Sequence, residues 1–393
     1  MTDPSMRNRI ERVTLEMGKK GIDFLISIKP EHTFYLSGFN PIIYSHPVIA
    51  ILGADGSQTV LIHALRDDHF RRSSWVKDCR LYGKWSTKKT LGMSYLKALQ
   101  EIIEDRMGSK AVIGIEENYI PHSMYKAFGS ILSNATFVDC SEIIKKTRLI
   151  KDSDEIDSLR IAADIANHGM EAAVGTLAEG GSERKIAIDA MAAMNQKWDK
   201  DYPDIETCDF GSLEGGVPNN LWCWCLTGDR VAYNCDSPTH RIPASGELAV
   251  IFIWAGANGM HAEIERTIAI GEIDREKKMA YEAILSIREK TQEFIRPGTC
   301  LADVFAVAKD EYEKLGYRDY LPGRIGHGMG LGCHEAPSIA ADNTEVLKPG
   351  MVMTFEPNLR IPEWGGLQHS DTILVNEGGF EFLTSYPRNF IKV

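Results

Sequence analysis

At 393 residues the chain exceeds what one hydrophobic core comfortably organises, so two domains of unequal size are expected. Apolar residues at 44% and charged residues at 25% exclude a disordered chain. The balance of 44 Lys+Arg against 55 Asp+Glu, net −11 with a pI near 5.5, lacks the basic field of a nucleic-acid binder.

No apolar run reaches the ~18 residues of a membrane span, and Met1–Arg12 is polar rather than signal-like, so no membrane partner is expected. Eight irregularly spaced cysteines suit reduced thiols in a cytoplasmic protein. Cys223 and Cys225 flank Trp224, but a lone C-x-C lacks the second half of a zinc site.

In chain order, Ile10, Val13 and Met17 form a helical stripe that Gly21 is placed to stop. Strands are predicted at Ile22–Ile28, Pro47–Leu52 and Thr59–His63, the last two joined through Asp55-Gly56. A helix over Leu91–Met107 and a strand over Ala111–Glu116 complete an alternating α/β unit of residues 1–147. The second domain, 148–393, opens with Asp152-Ser153-Asp154-Glu155, capping and first-turn acids for a long helix. Further helices are predicted over Ser182–Trp198, Asp274–Phe294 and Leu301–Leu315, with strands at Leu248–Trp254, Arg266–Ile270, Met351–Glu356 and Asp371–Val375.

Chemistry-bearing residues concentrate in this second part. Between Gly256 and Thr267 the chain turns through two glycines into a strand, on which His261, Glu263 and Glu265 share one face by the period of two. Such a face is costly unless it meets water, a proton to share, a cation or a ligand. In Gly326-His327-Gly328-Met-Gly330-Leu-Gly332-Cys-His334-Glu335, closely spaced glycines suggest backbone packed tightly against something, with His327 and His334 held over it. Glu356 ends an apolar strand just before Pro357, where an unpaired charge would be expensive. Trp222 and Trp224, at alternate positions, either wall a pocket for an organic cation or pack in the core. Tyr233-Asn234-Cys235-Asp236 follows them.

Taken together and in this order, these motifs resemble the creatinase/prolidase/methionine-aminopeptidase superfamily over essentially the whole chain. Arg7 through Phe39 is likewise similar to the creatinase-type N-terminal domain. The resemblance implies an α/β (α+β) protein: a small N-terminal α/β domain before a C-terminal pita-bread domain with the site in its concave face. Metallopeptidase members carry five ligands: two Asp eleven residues apart, the His of Gly-His-Gly, the Glu of Glu-Pro, and a Glu immediately before Asp. Here those positions hold Phe252, Glu263, His327, Glu356 and Ser370. Loss of both bridging positions speaks against a dinuclear centre, leaving no metal, or a single divalent ion on Glu263, His327 and Glu356.

The metal-free creatinase branch is the nearer likeness. Glu265 before Arg266-Thr267, Glu356, His327 and Trp222-x-Trp224 match its pattern. The ungapped match places Cys235 where creatinase has its general-base His, and a shifted pairing places Tyr233 there. Tyr44 and His46 match positions that reach a neighbouring subunit's pocket, which implies a homodimer. The resemblance thus implies a hydrolase of a C–N bond in a small cationic or zwitterionic nitrogen-rich metabolite. His327, Glu265, Glu356 and Cys235 would be catalytic, with Trp222, Trp224, Glu263, His261, His334, Tyr44, His46 and Tyr233 binding substrate. The alternatives are a mononuclear metal-dependent Xaa-Pro peptidase or lyase of the same fold, and a non-catalytic binding module.

Overall fold

A computed structural model describes residues 4–106, 110–211, 219–233 and 235–393. Two units emerge. One comprises the residues up to Arg148 with the segment beginning at Asp209, and the other Leu149–Cys208 with Asn219–Val393.

The first unit runs α1 Pro4–Lys20, β1 Phe24–Ser27, α2 Pro30–Ser37, β2 Ile49–Gly53, β3 Gln58–His63, α3 Asp67–Ser73, β4 Asp78–Tyr82, α4 Tyr95–Glu104, β5 Ala111–Ile115, α5 His122–Ile131, β6 Ala135–Asp139 and α6 Ser141–Arg148. Its six strands form one mixed sheet in the order β4-β3-β2-β1-β5-β6. Gly21, at φ 63°, ends α1 as expected. The helix predicted from Leu91 begins only at Tyr95, because the Leu91 N–H donates to Leu81 O beside β4. Its predicted end, Met107, lies outside the described residues.

The second unit comprises α7 Ser153–Ala178, α8 Glu183–Asp201, β7 Leu221–Thr227, β8 Leu248–Ala257, β9 Met260–Ala269, α9 Arg275–Gln292, α10 Leu301–Lys314, β10 His327–Gly328, β11 Glu335–Ser338, β12 Val352–Phe355, β13 Asn358–Ile361, β14 Gly365–Gln368, β15 Ser370–Asn376 and β16 Gly379–Phe382. Asp152 and Glu155 close a capping box at the start of α7. The strands form a sheet ordered β11-β10-β12-β15-β9-β8-β7, with β16 on β15 and β13-β14 as a separate hairpin.

The strand predicted at Arg266–Ile270 is the second half of the longer β9. Asn258 and Gly259, at φ 48° and 79°, make a two-residue turn, so Ala257 pairs directly with Met260. This tight hairpin fixes the alternation that builds the site. Cys223, Cys225, Ile251, Ile253, Ile264 and Ile268 turn to the core under α7 and α8, and the intervening residues turn the other way. A second core packs α9 and α10 against β12 and β15 through residues such as Ile284, Ile287, Val304, Met353, Phe355 and Ile373.

Candidate active site

The concave side of the second unit holds a cavity of about 690 Å³, within the usual range for small-molecule sites. Trp222, Trp224, Phe252, Trp254, Cys235, Glu263, Glu265, Glu356 and His334 line it, with Arg324, Arg360 and Gln368. Strand register explains the aromatic side: Trp222 pairs with Trp254 and Trp224 with Phe252 across β7 and β8. The Trp222 and Trp254 rings stack 4.1 Å apart at 14°, and Trp224 meets Trp254 edge-on at 5.2 Å.

Glu263 and Glu265 come from β9 and are 1% and 2% exposed. Trp254 Nε1 donates to Glu263 Oε2 at 2.9 Å and Ser370 Oγ donates to Glu263 Oε1 at 2.6 Å. Gln368 Nε2 donates to Glu265. Burial pushes Glu263 up to about 7. Burial, then the charges of Glu263 and Glu356, lifts Glu265 well above the ordinary carboxylate range. Burial and the Glu263 charge bring Glu356 up to about 8. Three acids this close cannot all ionise without a cation among them.

Beneath Glu265, Arg266 anchors the strand. It is fully buried and donates to the carbonyls of Glu265, Ser370, Tyr386 and Pro387 and to Asp371 Oδ1. Against burial, the guanidiniums of Arg266, Arg288 and Arg388 hold the Asp371 carboxyl below its ordinary value.

The glycine-rich motif explains itself sterically. A Cβ at Gly326 would sit 2.3 Å from Thr354 O, and one at Gly328 would sit 2.3 Å from Ala336 O. Only glycines let β10 lie between β11 and β12 with His327 directed at the acids. The His327 Nδ1–H donates to Gly328 O at 3.0 Å. Nε2 then carries the lone pair, is buried with no hydrogen-bond partner, and stands 3.5 Å from Glu356 Oε1 and 3.7 Å from Glu263 Oε2. Burial brings this imidazole down to about 3, so it is neutral. His334 lies beside it, the ring centroids 4.4 Å apart.

An acceptor facing two carboxylate oxygens calls for a shared proton or a metal ion between them. Donor atoms of Glu263, His327 and His334 lie within 4.8 Å of one another, as do those of Glu263, Glu265 and Glu356. Both sets use Glu263, and two imidazoles with one carboxylate suit a divalent transition ion. The residues therefore fit one ion. A second ion is less well served, because Phe252 and Ser370, the cross-strand neighbours of Glu265 on either side, bring no carboxylate. The expectation of no cofactor is corrected to this extent: the geometry supports a possible single-ion site, with His334 joining Glu263 and His327.

The other expected residues are placed as follows. His261 shares the face of Glu263, but its Nδ1 is engaged with Gly330 O at 2.8 Å and it does not line the cavity. Cys235 is exposed on the cavity wall. Tyr233 is 60% exposed, outside the cavity lining, and Asn234 lies outside the described residues. Tyr44 is buried with Phe39 and Val48 in the first unit's core, and His46 stacks on His63 at 4.1 Å. Cys223 and Cys225 are buried thiols, raised by burial, and among the described residues neither joins a group of potential metal ligands. Trp254, Arg324, Arg360 and Gln368 were not expected at the site. Trp254 alone had a signal, two residues from Phe252 on a predicted strand.

This architecture, an α/β domain before a pita-bread domain with acids and a histidine in its hollow, is that of a class of hydrolases acting on C–N bonds. The chain belongs to metallopeptidase family M24, whose model matches residues 157–377, and residues 9–150 match the creatinase/prolidase N-terminal domain. It is 27% identical to the Xaa-Pro dipeptidase of Pyrococcus furiosus over 98% of this chain and 100% of that protein. The prolidase structure from Pyrococcus horikoshii superposes with a TM-score of 0.82 at 25% identity, covering 98% of this chain and all of that one. A prolidase from Thermococcus sibiricus gives a TM-score of 0.84 over the full length of both chains, at 24% identity, and shows the shared fold. Among the described residues no helix is long and apolar enough to cross a membrane.

Proposed function

We propose that the protein hydrolyses a C–N bond in a small cationic or zwitterionic nitrogen-rich substrate, using at most one divalent ion. One observation carries this reading: Glu263, Glu265 and Glu356 crowd one aromatic-walled cavity, and Glu265's cross-strand neighbours, Phe252 and Ser370, bring no further carboxylate. A substrate cation relieves the repulsion that holds these acids protonated, because its charge favours their ionised forms.

His327 Nε2 is the basic atom positioned for proton transfer, its ring fixed by the Gly328 carbonyl. It takes a proton from attacking water and passes it to the departing nitrogen, while Glu356, ionised beside the substrate cation and 3.5 Å from Nε2, stabilises the imidazolium formed, so water is added across the C–N bond. Cys235, on the wall, stands ready as nucleophile or as part of the lining. A divalent ion on Glu263, His327 and His334 would act as a Lewis acid on the scissile group.

A second reading is a mononuclear metal-dependent Xaa-Pro dipeptidase. The Pyrococcus relatives, named as an Xaa-Pro dipeptidase and a prolidase, support it more strongly than they support the first, whereas the two lost ligand positions support the first. A turnover panel of Xaa-Pro dipeptides, guanidino acids and compact zwitterionic amides, with and without chelator, separates them. Turnover of a non-peptide substrate that survives chelation supports the first reading. Dipeptide turnover abolished by chelator and restored by one equivalent of ion overturns it in favour of the second. Glu263, Glu265 and Glu356 line one cavity and His327 Nε2 lies within 3.7 Å of two of them, which supports catalysis over a purely binding role.

A further inference from the structure

The cavity has two chemically distinct ends. On one side Trp222, Trp224, Phe252 and Trp254 form a continuous aromatic surface, Phe252 lying parallel to Trp254 at 6.3 Å and 3°. Two of its three indole N–H groups are already used: Trp222 Nε1 donates to Asn220 Oδ1 at 2.9 Å, and Trp254 Nε1 donates to Glu263 Oε2. The wall therefore offers mainly π surface. Both oxygens of Glu263 accept protein hydrogen bonds, so this acid contributes charge more than vacant acceptor positions. An alkylated ammonium, which needs negative potential and aromatic faces but no acceptors, is well matched.

On the exposed side stands Arg324. Its side chain is 43% exposed, its ion pair with Glu356 is long at 3.8 Å, and among the described residues it makes no hydrogen bond. A planar guanidinium with its donors uncommitted beside an acid-lined cavity suits a carboxylate held by paired N–H groups.

Resting on the C–N hydrolase reading, we infer that the ligand is a zwitterion whose alkylated ammonium lies on Trp222 and Trp254 above the three acids. Its carboxylate pairs with Arg324, which makes Arg324 the residue that selects the anionic end.

Calorimetric titration with glycine betaine, its uncharged-head isostere 3,3-dimethylbutanoate, and tetramethylammonium tests this directly. Wild-type protein binds betaine saturably and about tenfold or more tighter than either comparison compound. Arg324→Gln brings betaine down to the level of tetramethylammonium and leaves tetramethylammonium unchanged. Trp222→Leu weakens both onium compounds about tenfold without weakening the isostere. Unchanged circular dichroism of the two variants establishes that they are folded. Equal binding of betaine and its isostere, betaine binding indifferent to Arg324→Gln, or no saturable betaine binding each overturns the inference. Cleavage of another C–N substrate by a protein that ignores betaine removes the inference and keeps the hydrolase reading. Betaine binding by a protein that cleaves nothing in the panel does the reverse.

Discussion

Ser370 Oγ donates a 2.6 Å hydrogen bond to Glu263 Oε1, so a neutral hydroxyl supports a buried acid at the floor of the site. Ser370 is fully buried and no water can replace it. Ser370→Ala should cost about 1–3 kcal/mol and lower the melting temperature by several degrees. Thermal unfolding followed by circular dichroism checks this, and an unchanged melting temperature contradicts it.

Glu265 is raised well above the ordinary carboxylate range, through burial and then the charges of Glu263 and Glu356. Replacing it with an isosteric amide removes the repulsion and keeps the side-chain volume. Glu265→Gln should melt a few degrees higher than wild type while kcat/KM falls at least about a hundredfold, a trade of activity for stability. Paired melting and rate measurements decide it, and a variant that is both destabilised and active contradicts it.

The raised acids also set a pH dependence. Glu263 at about 7 and Glu356 at about 8 bind protons more tightly folded than unfolded, where 4.5 is the ordinary value. Their contribution to stability is complete below about pH 4.5 and is lost as pH rises through 7 and 8. The chelator-treated protein should therefore melt roughly 5 °C lower at pH 8.5 than at pH 6. A bound divalent ion or cationic ligand should flatten the profile, because it stabilises the ionised acids.

In the first unit the sign reverses. Glu116 is buried and accepts from Ser27 Oγ at 3.0 Å, from the N–H groups of Ile28 and Lys29 at 2.9 and 3.0 Å, and from His32. Against burial, the His32 hydrogen bond and those N–H groups hold its carboxyl below the ordinary value. Burial likewise lowers His32, against the pull of Glu116. Stability from His32 is lost as pH falls below 6.5, and that from Glu116 as pH falls below 4.5. Glu116→Gln should destabilise this unit by about 2–4 kcal/mol at neutral pH and blunt its acid sensitivity. Amide hydrogen exchange at Ile28 and Lys29 reads the effect, and unchanged protection contradicts it.

Much of the site could be read from local pattern. Period-two alternation put Glu263 and Glu265 on one face of a strand, and the glycines around His327 announced a close backbone approach. What escaped depended on register and distant loops. Trp254 joins the wall because β7 and β8 pair Trp222 with it, and nothing local to either strand specifies that pairing. Arg324 and Arg360 reach the cavity from segments with no periodic signal. His261 shows the converse: its face was read correctly, but Gly330 engages the ring, and that partner is distant in sequence. In the first unit the short elements α2, α3, β4, α5, β6 and α6 were missed because so few residues carry little pattern.

The central claim is that acids and a neutral imidazole converge in a cavity able to seat one ion and not two. Metal content per chain, measured by mass spectrometry after saturation with Mn²⁺, Co²⁺ or Zn²⁺ and removal of excess, tests it most directly. No more than one ion per chain is predicted, falling to none in Glu263→Gln; two tightly held ions per chain would contradict it.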